Sequence, residues 1–575
     1  MAAVFSSDLV RAAAVVVLLA LGTFKFILYP VLFSPLSRIP NAHFTSAISP
    51  LWILWKRFRM KGNRTIHEAH LKHGPIVRLG PSEISINCVD GGIRTVYAGG
   101  YEKHDWYKMF GSYGTYSMFS MLGSKPHSVR KRMLSNIYSK SFLQSSSQLK
   151  EVSKTVLYDR CLPIIQEQAE KGSSIEVHEL NNAITMDFVA GYLFGLSTAT
   201  NFLQDVEMRK KWLYAYQCRK PFEFYHQETP ILLSLAGTLK IPLIPRWCTP
   251  ANEYLEAWCL EICDKAEKHV SSTDPTTEPV VYKQLRKAME KQLRFQHDDQ
   301  LDEKTLGQLR LELAAETFDQ LTAGHETSAV ALTYLLWQMS KNPEIQVLLR
   351  EELATLNPPI TFPLPTKAAP ELPPPKDIDA LPLLDAIVTE TLRLHAPIPG
   401  LQPRITPEGA SLAGYDKLPA NIRVNAQAYS LHQNPEVFPR PESWLPRRWL
   451  TKDDPTRLEN MRRWFWAFGS GGRMCIGSNL ALQAELVGEI YDCEMKLVVA
   501  GIYSNYTTAV IDDTGIEAID AYTSPLPPTP GISMNLLVHE QNEASTNPFQ
   551  RFKFGVKILN STSHFIVTHL NLSSK

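Results

Sequence analysis

The hydrophobic pattern opens with one long apolar run. From Ala12 to Phe33 the chain reads AAAVVVLLALGTFKFILYPVLF, 22 positions interrupted only by Lys25 and Pro30. A helix of that length crosses the hydrocarbon core of a bilayer. Arg38, Lys56, Arg57, Arg59, Lys61 and Arg64 follow it, against Arg11 and Asp8 before it, a bias that places the bulk of the chain on the cytosolic side. Residues 1–34 are therefore expected to form a membrane anchor and the Pro-containing residues 35–45 a hinge. Beyond the hinge, IVRLGPSEISI at 76–86 alternates and turns at Gly80-Pro81, the pattern of a β-hairpin. Helical periodicity dominates from about 127 to 350, broken near 171–175 and 272–279, with Leu306 to Met339 its longest stretch. Eight of the nineteen residues from Pro358 to Lys376 are proline, which predicts an extended loop. After Leu394 the pattern turns β-rich again, with Gly414 at a turn. The expected fold is mainly α with a small β subdomain.

Composition narrows the function classes. In 575 residues, 59 Lys and Arg meet 58 Asp and Glu without a charged block, so no nucleic-acid partner is expected. Eight cysteines without a CxxC pair exclude a zinc ribbon and are too sparse for a disulfide scaffold. Cys259 and Cys263 share a helix face and are expected to be small buried hydrophobes.

One segment concentrates unusual chemistry: Phe468-Gly469-Ser470-Gly471-Gly472-Arg473-Met474-Cys475-Ile476-Gly477. Its glycines permit positive φ and close approach to a flat group. Exposed amides, Arg473 and the N-terminus of a following helix would each favour a thiolate at Cys475. By itself such a loop suits a thiolate metal ligand, a nucleophilic cysteine or a plain turn.

The segment resembles the F-x-x-G-x-R-x-C-x-G haem-binding signature of the cytochrome P-450 family, at Phe468, Gly471, Arg473, Cys475 and Gly477. Supporting motifs lie elsewhere. Glu390-Thr391-Leu392-Arg393 is similar to the family's E-x-x-R, and Pro441–Trp449 to its second arginine motif, with Trp444 and Arg447 as departures. Ala323-Gly324-His325-Glu326-Thr327-Ser328 is similar to its A-G-x-E-T-S oxygen-activation motif. Gly324 and a back-bonding Thr327 predict a local kink in that helix.

The resemblance implies haem b with Cys475 as axial thiolate, Phe468 packed near the sulfur and Arg473 on a haem propionate. It implies Glu326 and Thr327 as the catalytic acid and alcohol, and a structural triad of Glu390, Arg393 and Arg448. His127, Lys131 and Arg404 match weaker propionate contacts, with Arg130 able to replace Lys131. The implied reaction is monooxygenation of a lipophilic small molecule with O₂. Its electrons would come from NADPH-cytochrome P-450 reductase, with cytochrome b5 as a further donor, at the endoplasmic reticulum membrane. Apolar and aromatic loops at 101–125 and 213–245 are expected to line the pocket.

Phrases such as GPIVRLGPSEISI and AYSLHQNPEVFP resemble microsomal-type fungal members, which suggests tailoring of a secondary metabolite. The catalytic domain is expected over 46–538, with an atypical insertion at 484–493 and an atypical tail at 539–575. Ten extra residues would turn the following helix about 80° out of register. A haem-deficient or inactive membrane protein of the same ancestry is accordingly the alternative.

Overall fold

The computed structural model describes residues 2–296, 298, 300–364, 370–450, 454–481, 494–514, 516 and 535–540. The N-terminal helix Ala2–Thr23 runs on as a wider-turned helix Phe24–Phe33 that contains Pro30. Leu9–Phe33 is long and apolar enough to cross a membrane, and no part of its most apolar window is buried in the protein. The hinge is packed, not loose. Ser34 caps the short turn Pro35–Arg38 by accepting from the Leu36 N–H at 3.2 Å, and Leu36 and Ile39 enter the core. Buried Arg78 donates to Pro30 O at 2.8 Å and Pro81 O at 3.0 Å, joining the end of the apolar helix to the first hairpin.

Nine strands occur among the described residues: β1 (Ile76–Gly80), β2 (Glu83–Ile86), β3 (Ser174–Glu176), β4 (Arg404–Ile405), β5 (Ala410–Leu412), β6 (Tyr415–Leu418), β7 (Arg423–Asn425), β8 (Tyr506–Asp512) and β9 (Asn535–Glu540). They form sheets of order β1-β2-β7-β4 and β3-β9-β8, plus the hairpin β5-β6. β1 and β2 pair antiparallel with Gly80 opposite Glu83, the expected hairpin. β7 joins β2 in parallel, Ile84 opposite Val424, so one sheet unites the two ends of the domain. His539 and Glu540, expected in the tail, lie in β9 opposite Thr507 and Tyr506. The rest of the tail and the whole insertion 484–493 lie outside the described residues.

Helices carry most of the core. The long helix is Glu303–Lys341, 39 residues, begun by Asp302 accepting from the Thr305 N–H at 2.8 Å. It packs on the helix Val177–Phe194, which is buried almost throughout. At Gly324 they approach closely: a Cβ there would lie 2.8 Å from Val189 Cγ2. The helix is continuous through Gly324. After the insertion, Glu494–Asn505 is a helix that buries Met495, Leu497, Val498, Val499, Ile502 and Tyr503. Lys496 within it reaches Asp385 at 2.8 Å. Its apolar side therefore meets the core.

Candidate active site

The glycine-rich segment folds as a tight loop around its cysteine. Met474 N donates to Gly471 O at 3.0 Å and Cys475 N to Phe468 O at 3.1 Å. Gly469 and Gly471 have φ of 69° and 70°, which favour glycine. A Cβ on Gly471 would overlap Tyr97 O and lie 2.7 Å from Ala98 Cα. The sulfur thus stands at the wall of a cavity of about 1440 Å³. Surrounding protein pushes the Cys475 thiol pKa up, against the Gly477 and Ser478 N–H groups and Lys131. Lys131 is the cation that acts on the sulfur. The expectation that Arg473 would do so is corrected: its guanidinium turns to Met121 O at 2.8 Å and Glu102 at 3.2 Å.

A cluster of basic side chains occupies one edge of the cavity. Arg404 is buried, donates to Tyr107 Oη at 3.0 Å and lies 4.9 Å above the Tyr97 ring. His127 is also buried, and burial with Arg473, Lys103, Lys131 and Arg404 around it pushes its pKa down to about 3. Lys131 faces the loop, donating to Gly472 O at 3.0 Å and Met474 O at 2.8 Å. Arg130 is no substitute for it, since it pairs with Glu312 at 2.9 Å and Glu316 at 3.4 Å. Lys103 completes the edge, buried over the Tyr107 and Phe119 rings at 4.0 and 4.2 Å. Its pKa falls well below the usual lysine range through burial and the like charges of Arg404 and Arg473. Sequence reasoning missed Lys103. Its only local signal is an isolated cation among Tyr101, Trp106 and Tyr107.

The long helix supplies the facing wall with Asp319, Ala323, Gly324, Glu326 and Thr327. Thr327 Oγ1 bonds back to Ala323 O at 2.7 Å, as its position predicts. Glu326 is engaged across the cavity: Lys220 donates to Oε1, and Tyr216 Oη donates to Oε2 at 3.0 Å. Asp319 is pushed up to about 7 by burial and nearby Glu316, against Ser117 and Lys103. His325 turns away from the cavity into an aromatic contact with Trp212 and Tyr216, and burial takes its pKa to about 3. The segment 101–125 contributes Trp106, Phe110 and Phe119 to the lining. The segment 213–245 contributes Tyr216 and Phe222 but is largely helical, in Val206–Cys218, Glu223–Glu228 and Pro230–Thr238.

Glu390, Arg393 and Arg448 meet behind the loop. Arg393 donates to both carboxylate oxygens at 2.9 and 2.8 Å, and Arg448 Nε to one of them at 3.0 Å. The departure Trp444 finds its own partner, donating to Thr391 Oγ1 at 3.0 Å.

The residues present fit an iron porphyrin. At the basic edge, Arg404 and Arg473 stand with buried Lys103 and His127 along the cavity, a set of donors that two propionates would engage.

A single cysteine loop and the long helix line one largely apolar cavity, the arrangement of a haem-thiolate protein, and comparison agrees. The cytochrome P-450 family profile matches residues 47–535, and the chain belongs to that family as a monooxygenase. Cytochrome P-450 monooxygenase avaI of Aspergillus versicolor is 29% identical over 75% of this chain and 96% of its own length. The monooxygenase orf2 of Aspergillus niger is 27% identical over 79% and 85%, and tazI of Aspergillus terreus 27% over 87% and 92%.

Proposed function

We propose that this chain is a membrane-anchored monooxygenase in which Cys475 is the axial ligand of haem b. The observation that carries the reading is that Cys475, the helix residues Ala323, Gly324, Glu326 and Thr327, and the basic side chains Lys103, Arg404 and Arg473 all line one cavity. Arg404, Arg473, Lys103 and His127 would receive the propionates, while Phe468, Gly471 and Gly477 shape the loop and Lys131 braces its carbonyls. Once bound, the haem supplies activation of O₂ by two electrons for insertion of one oxygen atom into the substrate. The protein's share is to hold the thiolate, exclude water and move protons. Glu326 is the acid that passes protons inward, and Thr327 is the alcohol that steadies the site next to it.

The triad of Glu390, Arg393 and Arg448 locks the core behind the loop. Electrons would come from NADPH-cytochrome P-450 reductase, with cytochrome b5 as a further donor. Residues 1–34 would anchor the chain in the endoplasmic reticulum membrane, 35–45 form the hinge and 46–538 the catalytic domain on the cytosolic side. The aromatic lining suits a lipophilic substrate, and the fungal monooxygenases it resembles point to tailoring of a secondary metabolite.

The haem-deficient alternative finds no support, since the compared relatives are named monooxygenases and the loop, basic edge and helix wall are all present. Haem content tests the reading directly. Full-length protein purified from a haem-supplemented culture should carry one haem per chain by its pyridine haemochrome. A haem-free but folded protein would overturn it.

A further inference from the structure

If Glu326 passes protons inward, something must recharge it, and the structure shows what faces it. Both carboxylate oxygens are met from across the cavity, Oε1 by Lys220 Nζ and Oε2 by Tyr216 Oη at 3.0 Å. Tyr216 lies near the end of the helix Val206–Cys218, and Lys220 begins the short turn Lys220–Phe222 that follows it. The Lys220 ammonium rests 4.6 Å above the Tyr216 ring, which fixes its approach. Arg219 lies over the same ring at 4.9 Å and pairs with Glu223 at 3.6 Å. Lys220, Tyr216 and Glu326 all line the cavity.

We infer that Lys220 is the proton donor that recharges Glu326. The step balances simply. A Lys220 Nζ–H bond breaks, a Glu326 Oε1–H bond forms, and the ion pair becomes a neutral amine beside a neutral acid. The amine then regains a proton from water at the cavity mouth. No oxidant or reductant enters the step. The inference rests on the proposed acid role of Glu326.

The surroundings favour this direction of transfer. Glu326 and His325 face Lys220 from the long helix, His178 from Val177–Phe194, and Arg219, Tyr216 and Glu223 from its own segment. Burial takes the His178 and His325 pKa values to about 4 and about 3, so neither holds a proton at neutral pH. Burial, with Arg219 assisting and Glu223 opposing, lowers the Lys220 pKa, while the Glu326 carboxylate in contact with it acts the other way. Burial disfavours the charged pair relative to the neutral amine and acid, which is the direction of the transfer.

Arginine separates this role from ion pairing, because it keeps the charge but does not release a proton near neutrality. The haem-loaded full chain, reconstituted with an NADPH-dependent reductase, would be assayed for NADPH oxidation by O₂ without added substrate. The carbon monoxide spectrum serves as the check on folding. Lys220→Arg and Lys220→Met should both slow oxygen reduction on the order of tenfold or more, as should Glu326→Gln. Lys220→Arg at the wild-type rate would reduce the lysine to an ion-pair partner and overturn the inference. Glu326→Gln at the wild-type rate would overturn both the acid role and the inference that rests on it. One readout needs no variant and no turnover: acetylation of wild-type holoenzyme by acetic anhydride, followed peptide by peptide across pH. The Lys220 midpoint should lie below that of the exposed lysines in the same digest, and a midpoint at or above theirs would also overturn the inference.

Discussion

Glu390 has no exposed surface and receives five N–H donors, from Arg393 twice, Arg448, Trp449 and Leu445. Arg393 spends its remaining donors on His432 O, Pro441 O and Ser443 O at 3.0, 2.7 and 3.1 Å. Two guanidinium groups share this one carboxylate and all five Arg393 donors are used, so removing the carboxylate charge leaves both cations without a counter-charge. Glu390→Gln should therefore cost about 3–5 kcal/mol, read as a shift in chemical denaturation. Gly471 is a second point of no tolerance. An alanine there meets both the positive φ of 70° and the backbone of Tyr97 and Ala98. Gly471→Ala should lower haem content per chain, whereas Gly472→Ala, with open space beside it, should not. The sequence names Glu390, Arg393, Arg448 and Cys475 because each sits in a fixed local motif. It is silent on Lys103 and Lys220, whose importance lies in neighbours far away in the chain, Arg404 and Glu326 respectively.

At the scale of elements, the long helix and its partner Val177–Phe194 are held close by Gly324 against Val189. Gly324→Ala should destabilise the protein by about 1–3 kcal/mol, and adding Val189→Ala should restore most of the loss; equal losses in the single and double variants would contradict this contact. The segment Glu223–Glu228 is tied differently, through buried charge. Glu228 accepts from Arg57 and Arg423 at 2.9 Å each and from Trp106 Nε1 at 3.2 Å, and Arg57 also pairs with Glu83. Burial alone would raise the Glu228 pKa; Arg423 and Arg57 outweigh it and hold the group at about 2, below its ordinary 4.5. A depressed carboxylate stabilises the fold above its unfolded pKa and loses that stabilisation as pH falls toward the folded value. Glu228→Gln should thus be less stable than wild type at pH 7, with the gap closing between about 4.5 and about 2. Helical period exposed the long helix almost to its ends, Leu306–Met339 expected against Glu303–Lys341 found. It misled at 213–245, where short helices separated by Pro221, Pro230 and Pro242 read as loop.

For the whole molecule, local patterns reveal the anchor, the two hairpins and the helical body, but not how they join. The parallel pairing of β2 with β7 links Glu83 to Arg423, and the antiparallel pairing of β3 with β9 links Ser174 to Leu537. Such contacts leave no periodic trace, because each strand is only three to six residues long. Arg78 ties the apolar N-terminal helix to this body at Pro30 O. Removing residues 1–27 should release a folded domain from the membrane with its haem spectrum unchanged, measured by fractionation and absorbance.

The proposed function depends on one bond, which the Cys475 thiolate would make to iron. The most direct measurement is the carbon monoxide difference spectrum of the reduced full-length protein beside Cys475→Ser. A strongly red-shifted Soret band in wild type, absent in the serine variant, is the expected result. A wild-type spectrum without that shift, or the same band in both proteins, would contradict thiolate ligation and the function built on it.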